Sequence, residues 1–180
     1  MNPPPPSDTA SPNPHRRLGR GMAWAASLAT LAVFYVYFDG ALALRNDPNR
    51  ALEVGASGGS LSLKRDRQGH YVFPGAINGQ PVVLLLDTGA TLVTVPAHLA
   101  DELGLEPGAT QRSQTANGVL LTRATRLDTL AFGPFRFHGV AASLNPGMSG
   151  GQVLLGMSAL KHLEFTQRGD TLVLTAAEGI

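Results

Sequence analysis

Two patterns of apolar residues divide the chain. Between Gly21 and Phe38 no residue is charged, and Ala, Leu, Val, Phe and Tyr dominate without a polar stripe. After Leu61 the apolar residues come instead in short, β-branched-rich runs broken by turn residues. The first pattern predicts a helix apolar on every face, unlike the one-sided helices of a small soluble domain. Its 18 residues would span about 27 Å, close to the ~30 Å hydrocarbon core of a bilayer. Trp24 near one end and Tyr35 and Tyr37 near the other stand where interfacial aromatics are expected.

The second pattern predicts strands. Leu61–Lys64 and His70–Ile77 come first, and Asn78-Gly79 then supplies the two positive-φ positions of a tight hairpin turn. Val82–Leu86 is a continuous apolar run, the pattern of a strand buried on both faces. Thr91–Val95 follows, and Pro96 opens a short helical stretch to Leu103 with Gly104 as its C-cap. Asn117-Gly118 joins Gln111–Ala116 to Val119–Arg126, and Gly133-Pro134 separates Leu127–Phe132 from Phe135–Ala142. Val153–Leu155 is a further buried run, and Met157–Leu163 has room for one or two helical turns. Glu164–Gln167 and Thr171–Thr175 close the chain as a hairpin. Many short strands with turns between them predict an all-β barrel or sandwich, not alternating βαβ units.

Composition narrows the setting. A net charge of +1 gives no nucleic-acid footprint, and the absence of cysteine removes disulfides, thiolate catalysis and thiolate metal sites. Residues 1–20, opening Pro3-Pro4-Pro5-Pro6, hold too little apolar surface to offset ordering and read as a disordered tail. Arg16, Arg17 and Arg20 precede the apolar run and predict a cytoplasmic N-terminus, with everything after Asp39 exported. Ala41-Leu42-Ala43 also fits a signal-peptide cleavage site, but the run exceeds the usual ~7–15 residues of a signal core and favours an anchor over 21–44. Residues 45–60, ending Gly55-Ala56-Ser57-Gly58-Gly59-Ser60, read as a flexible linker, leaving 61–180 as the folded domain.

The chemistry is concentrated in Val82-Val83-Leu84-Leu85-Leu86-Asp87-Thr88-Gly89-Ala90. A carboxylate ending an apolar run sits at the edge of a core, where an unpaired charge is costly. Gly89 lets the backbone turn closely, and the Thr88 hydroxyl stands within hydrogen-bonding reach. An Asp after a strand often does no more than cap a turn. Here, however, Asp-Thr-Gly-Ala is followed by Thr91-Leu92-Val93-Thr94-Val95-Pro96, then by Thr115-Ala116-Asn117-Gly118, then by Leu154-Leu155-Gly156-Met157. In that order the three segments resemble the active-site loop, the flap tip and the apolar-apolar-Gly element of retropepsin-like aspartic proteases. The likeness spans roughly Leu61 to Thr175 and is nearest to the bacterial, single-pass group.

That resemblance implies a closed retropepsin-like β-barrel with one or two short helices behind one transmembrane helix. It implies an aspartic endopeptidase of the bacterial inner membrane, its catalytic domain periplasmic. Asp87, Thr88 and Gly89 would form the catalytic loop, and Ala90, Ala116, Asn117 and Gly118 would contact a peptide substrate. The chain has one Asp-Thr-Gly, since Asp128-Thr129-Leu130 and Asp170-Thr171-Leu172 lack the glycine. The second carboxylate would therefore come from Asp87 of a second copy in a homodimer. Two full charges ~3 Å apart at an effective dielectric near 20 repel by roughly 5 kcal/mol, so such a pair shares one proton, as aspartic-protease dyads do. The ionised member would activate water and the protonated one would donate to the scissile carbonyl, with no metal or other cofactor. Two positions depart from retroviral members: Thr91 stands where several carry Asp, and Met157 where Arg is common.

Other chemistries fit less well. Gly147-Met148-Ser149-Gly150-Gly151 matches the G-x-S-x-G elbow, but Pro146 precedes it, a strand-like run follows, and no His follows Asp170. Ser158-Ala159-Leu160-Lys161 matches S-x-x-K without the companion motifs of that class. His15, His70, His98, His138 and His162 show no metal-binding spacing. The rival from another class is a retropepsin-fold module that binds peptides or dimerises without cleaving them.

Overall fold

The computed structural model describes residues 47–55, 58–115 and 118–177, together with Met22, Trp24, residues 26–35 and Tyr37. The chain divides into two units, 1–42 and 43–180. In the first, residues 26–35 are helical, and Trp24, Leu28, Leu31, Phe34, Tyr35 and Tyr37 are exposed. Among the described residues no helix is long and apolar enough to cross a membrane. The span expected over 21–44 lies partly outside those residues, and the tail over 1–20 lies wholly outside them.

The second unit is mostly β. Its strands are β1 (Ser60–Lys64), β2 (Val72–Ile77), β3 (Gln80–Leu86), β4 (Val93–Pro96), β5 (Thr110–Thr115), β6 (Gly118–Phe132), β7 (Phe135–Asn145), β8 (Gln152–Leu155), β9 (Leu163–Arg168) and β10 (Thr171–Ala176). One helical turn, α1 (Met157–Leu160), follows β8. Seven strands run in the order β2-β3-β8-β4-β7-β6-β5, and β2 also pairs with β6 through Ala76↔Ala131 and Ile77↔Leu130. That pairing closes six strands into a barrel and leaves β5 as an arm bonded to the first half of β6. A smaller sheet, β1-β10-β9, packs Leu61, Leu63, Leu172 and Leu174 into the same core. Phe73 and Phe132 meet edge-on at 5.7 Å in that core, and Phe132 meets Phe135 at the same distance.

The turn chemistry follows the sequence. Asn78 and Gly79 have φ of 51° and 83°, the doubly left-handed pair that a two-residue hairpin needs. The Asn78 side chain does more than turn: it donates to Leu103 O (3.0 Å) and accepts from Thr129 N (3.0 Å), tying the hairpin to β6. Gly104, at φ +64°, ends the helical stretch as expected. The stretch itself is shorter than Pro96–Leu103, because Pro96 stays in β4 opposite Asn145 and only Ala97–Leu99 forms a 3-10 turn. The chain must reverse at once to bury both Leu103 and Leu105, and Leu105 N donates to Ala100 O (2.8 Å).

Three further expectations are corrected. Val82–Leu86 is not buried on both faces: Leu84 is fully buried, but Val83 is 41% exposed and Val82, Leu85 and Leu86 are half-buried. The core covers one face of β3, and the other is only partly covered. Residues 47–55, expected as linker, lie against the barrel. Asn49 is buried, donates to Lys64 O and Val72 O, and accepts from Lys64 N, each at 2.8 Å. Leu52 packs on the core and Gly55 N donates to Gly133 O (2.6 Å). Finally, Val119–Arg126 and Leu127–Phe132 form a single strand, β6. Its buried positions shift from Thr122 to Leu127, an odd spacing, so its two halves turn opposite faces inward.

Candidate active site

β3 carries Asp87 to the rim of the barrel. It runs parallel to β8 with Leu86 beside Leu155, and Asp87 N continues that ladder by donating to Leu155 O (3.1 Å). β8 lies between β3 and β4, so residues 87–92 must cross over its end. The crossing begins as a tight turn: Gly89 N donates to Asp87 Oδ1 (2.9 Å) and Ala90 N to Asp87 O (3.2 Å). One carboxylate oxygen is thereby aimed by its own loop, while Oδ2 has no hydrogen-bond partner among the described residues. Asp87 is half-buried, and Thr88 and Gly89 are exposed.

The far side of the loop is clamped by α1. Met157 N donates to Ala90 O (2.8 Å) and Ser158 N to Thr91 O (2.9 Å), while Ser158 Oγ accepts from Val93 N (2.9 Å). Gly156 lies directly beneath. A Cβ there would fall 2.6 Å from Ala90 O and closer still to Leu92 O, so the loop can rest on β8 only because this residue has no side chain. Ser158 thus acts as a brace, which accounts for the S-x-x-K match without invoking a nucleophile. Sequence reasoning missed this role, since a serine in a short helix carries no pattern that announces a partner 65 residues away.

Of the residues expected to work together, Asp87, Thr88, Gly89 and Ala90 form one continuous turn. Ala116 and Asn117 lie outside the described residues. Gly118 stands at the end of the β5–β6 arm with φ +112°, its register partner being Thr115. That arm carries two exposed apolar side chains, Val119 (64%) and Leu121 (58%). Asp128 lies within β6 and Asp170 in the β9–β10 turn, so neither stands at the crossover that holds Asp87. Gly147–Gly151 forms a loop between β7 and β8 and is followed by a strand, which removes the strand-then-helix setting of a nucleophile elbow.

Residues 73–159 match the model of the aspartyl protease family. The interval runs from β2 through α1 and so contains the whole crossover. A retropepsin-like aspartic protease from Rickettsia conorii superposes with a TM-score of 0.58 at 24% identity, over 69% of this chain and 96% of that one. The fold is that of the retropepsin-like aspartic proteases. EIAV protease complexed with the inhibitor HBY-793 is a more distant retropepsin-like neighbour, at 18% identity and a TM-score of 0.44 over 55% of this chain and 92% of that one. In sequence the chain is 29% identical over 174 residues to an uncharacterized protein in the cobV 5' region of Sinorhizobium sp, covering 88% of this chain and 75% of the relative. The family match and the retropepsin-like fold together support a protease-type function.

Proposed function

We propose that this protein is an aspartic endopeptidase in which two identical subunits each contribute Asp87. The observation that carries the reading is the loop itself: a half-buried carboxylate held at the end of a barrel strand, one oxygen oriented by Gly89 N–H and the other without a partner among the described residues. A single Asp-Thr-Gly loop exists per chain, and the chemistry needs an ionised and a protonated carboxyl at once. A two-fold axis beside Asp87 supplies both. Thr88, exposed next to Asp87, would hydrogen-bond across that axis, and the β5–β6 arm with Ala116, Asn117 and Gly118 would close over the peptide. The ionised carboxylate takes a proton from water, the water attacks the scissile carbonyl, and the second carboxyl protonates its oxygen. Ala90, half-buried behind the turn, would line the adjoining substrate pocket.

The same reading places the enzyme in a bacterial inner membrane through residues 21–44, with the barrel in the periplasm; the arginine-flanked apolar run supports this. Asp87→Asn, tested against a peptide library from pH 3 to 8, separates an enzyme from a silent peptide-binding module. We expect cleavage to vanish while peptide affinity changes little, because the substitution keeps the shape and removes the charge. Undiminished cleavage by Asp87→Asn would remove Asp87 from the mechanism. Peptide binding without cleavage by the wild type at every pH would favour the module.

A further inference from the structure

A cavity of about 620 Å³ lies outside the Asp87 loop, lined by strand β7, by Arg126, and by residues of α1, β9 and the end of β10. That size is typical of small-molecule sites, which span roughly 300–1,000 Å³. Phe135, Phe137, Val140 and Leu163 give it an apolar lining, while Arg126, Arg136 and Lys161 bring three cations. His138 and His162 add two imidazoles, and no Asp or Glu is among the lining residues. Among the described residues none of the three cations has a carboxylate partner, although Asp128 follows Arg126 by two positions on β6. Three like charges around one cavity raise the local positive potential and favour an anion there.

One of the cations is held in place. Arg126 Nη1 donates to Gly139 O, and the guanidinium occupies the volume a side chain at position 139 would fill: a Cβ there would lie 2.7 Å from Nη1. Gly139 also has φ +61° in the middle of β7, a conformation that favours glycine. His162 stacks on Phe137 at 5.8 Å and 29°, which sets an aromatic surface beside the charged rim. A guanidinium fixed by one donor keeps the rest of its fork for an oxyanion, and a second and third cation suit a doubly charged group better than a single carboxylate.

We infer that this cavity binds a phosphate monoester carried on an apolar or aromatic body, the phosphate meeting Arg126 and Lys161 and the body resting on Phe137 and His162. Ser158 lines the cavity and also braces Thr91 and Val93, so an occupant sits against the residue that holds the Asp87 loop. The site stands independently of the peptidase reading. Its test is calorimetric titration of the full chain, in a non-ionic detergent, with phenyl phosphate, inorganic phosphate and dihexanoyl phosphatidic acid. Phenyl phosphate should bind saturably and more tightly than inorganic phosphate, and Arg126→Ala or Lys161→Gln should weaken it about tenfold. Lys161 is exposed, so Lys161→Gln reads the site even if Arg126→Ala disturbs folding. Tighter binding of the phosphatidic acid would identify a lipid headgroup as the source, and tighter binding of phenyl phosphate a soluble monoester. Affinity unchanged in both variants, or no binding of any of the three to folded protein, would overturn the site.

Discussion

Asn49 and Asp87 are both polar residues beside a core, yet only one announces itself in the sequence. Asp87 ends a five-residue apolar run and heads a recognisable tripeptide, so its place at a reactive edge is legible from the order of residues alone. Asn49 sits in a polar stretch that reads as linker, and its partners Lys64 and Val72 are 15 and 23 residues away. Nothing local encodes that clasp. Its three hydrogen bonds, formed by a residue only 4% exposed, make it a fixed point between the leading segment and the barrel. Replacing it leaves backbone groups of Lys64 and Val72 without partners, at a cost of about 2–3 kcal/mol. Asn49→Ala should therefore lower the denaturant midpoint of the barrel markedly, measured by urea unfolding. An unchanged midpoint would mean that the segment rests on the barrel without stabilising it.

At the scale of elements, local turn signals carry most of the information. Asn78-Gly79 and Gly133-Pro134 each end a strand where the sequence says they should, because positive φ or a missing N–H leaves the backbone few alternatives. Pairings between distant strands are not legible in the same way. The parallel contact of β3 with β8 and the closure of β2 on β6 depend on side chains meeting across more than fifty residues. The crossover above β8 shows what such a pairing demands: Gly156 has the carbonyls of Ala90 and Leu92 against its Cα. Gly156→Ala must push the loop off the strand, since backbone cannot yield as a flexible side chain does. The expected cost is about 3 kcal/mol, with loss of peptidase activity beyond what unfolding explains. Thermal unfolding together with activity per folded molecule tests this, and wild-type values for both would contradict the clamp.

For the molecule as a whole, the half-exposed outer face of β3 is the informative departure from expectation. An all-apolar strand predicts cover on both sides, and the barrel core covers one. Val83, Val119 and Leu121 are exposed apolar side chains, and the turn at Asp87 is accessible. On the proposed mechanism, a second copy placed across the Asp87 turn would complete both the acid pair and the peptide cleft. Activity should then rise faster than linearly with enzyme concentration until dimers saturate.

The most direct measurement mixes wild-type chains with Asp87→Ala chains at constant total concentration, lets subunits exchange, and follows cleavage of one peptide. If each site needs Asp87 from two subunits, activity falls as the square of the wild-type fraction, leaving roughly one quarter at an equal mixture. A linear fall, with half the activity remaining at that point, would show that one chain carries a complete site and would contradict the shared-carboxylate mechanism.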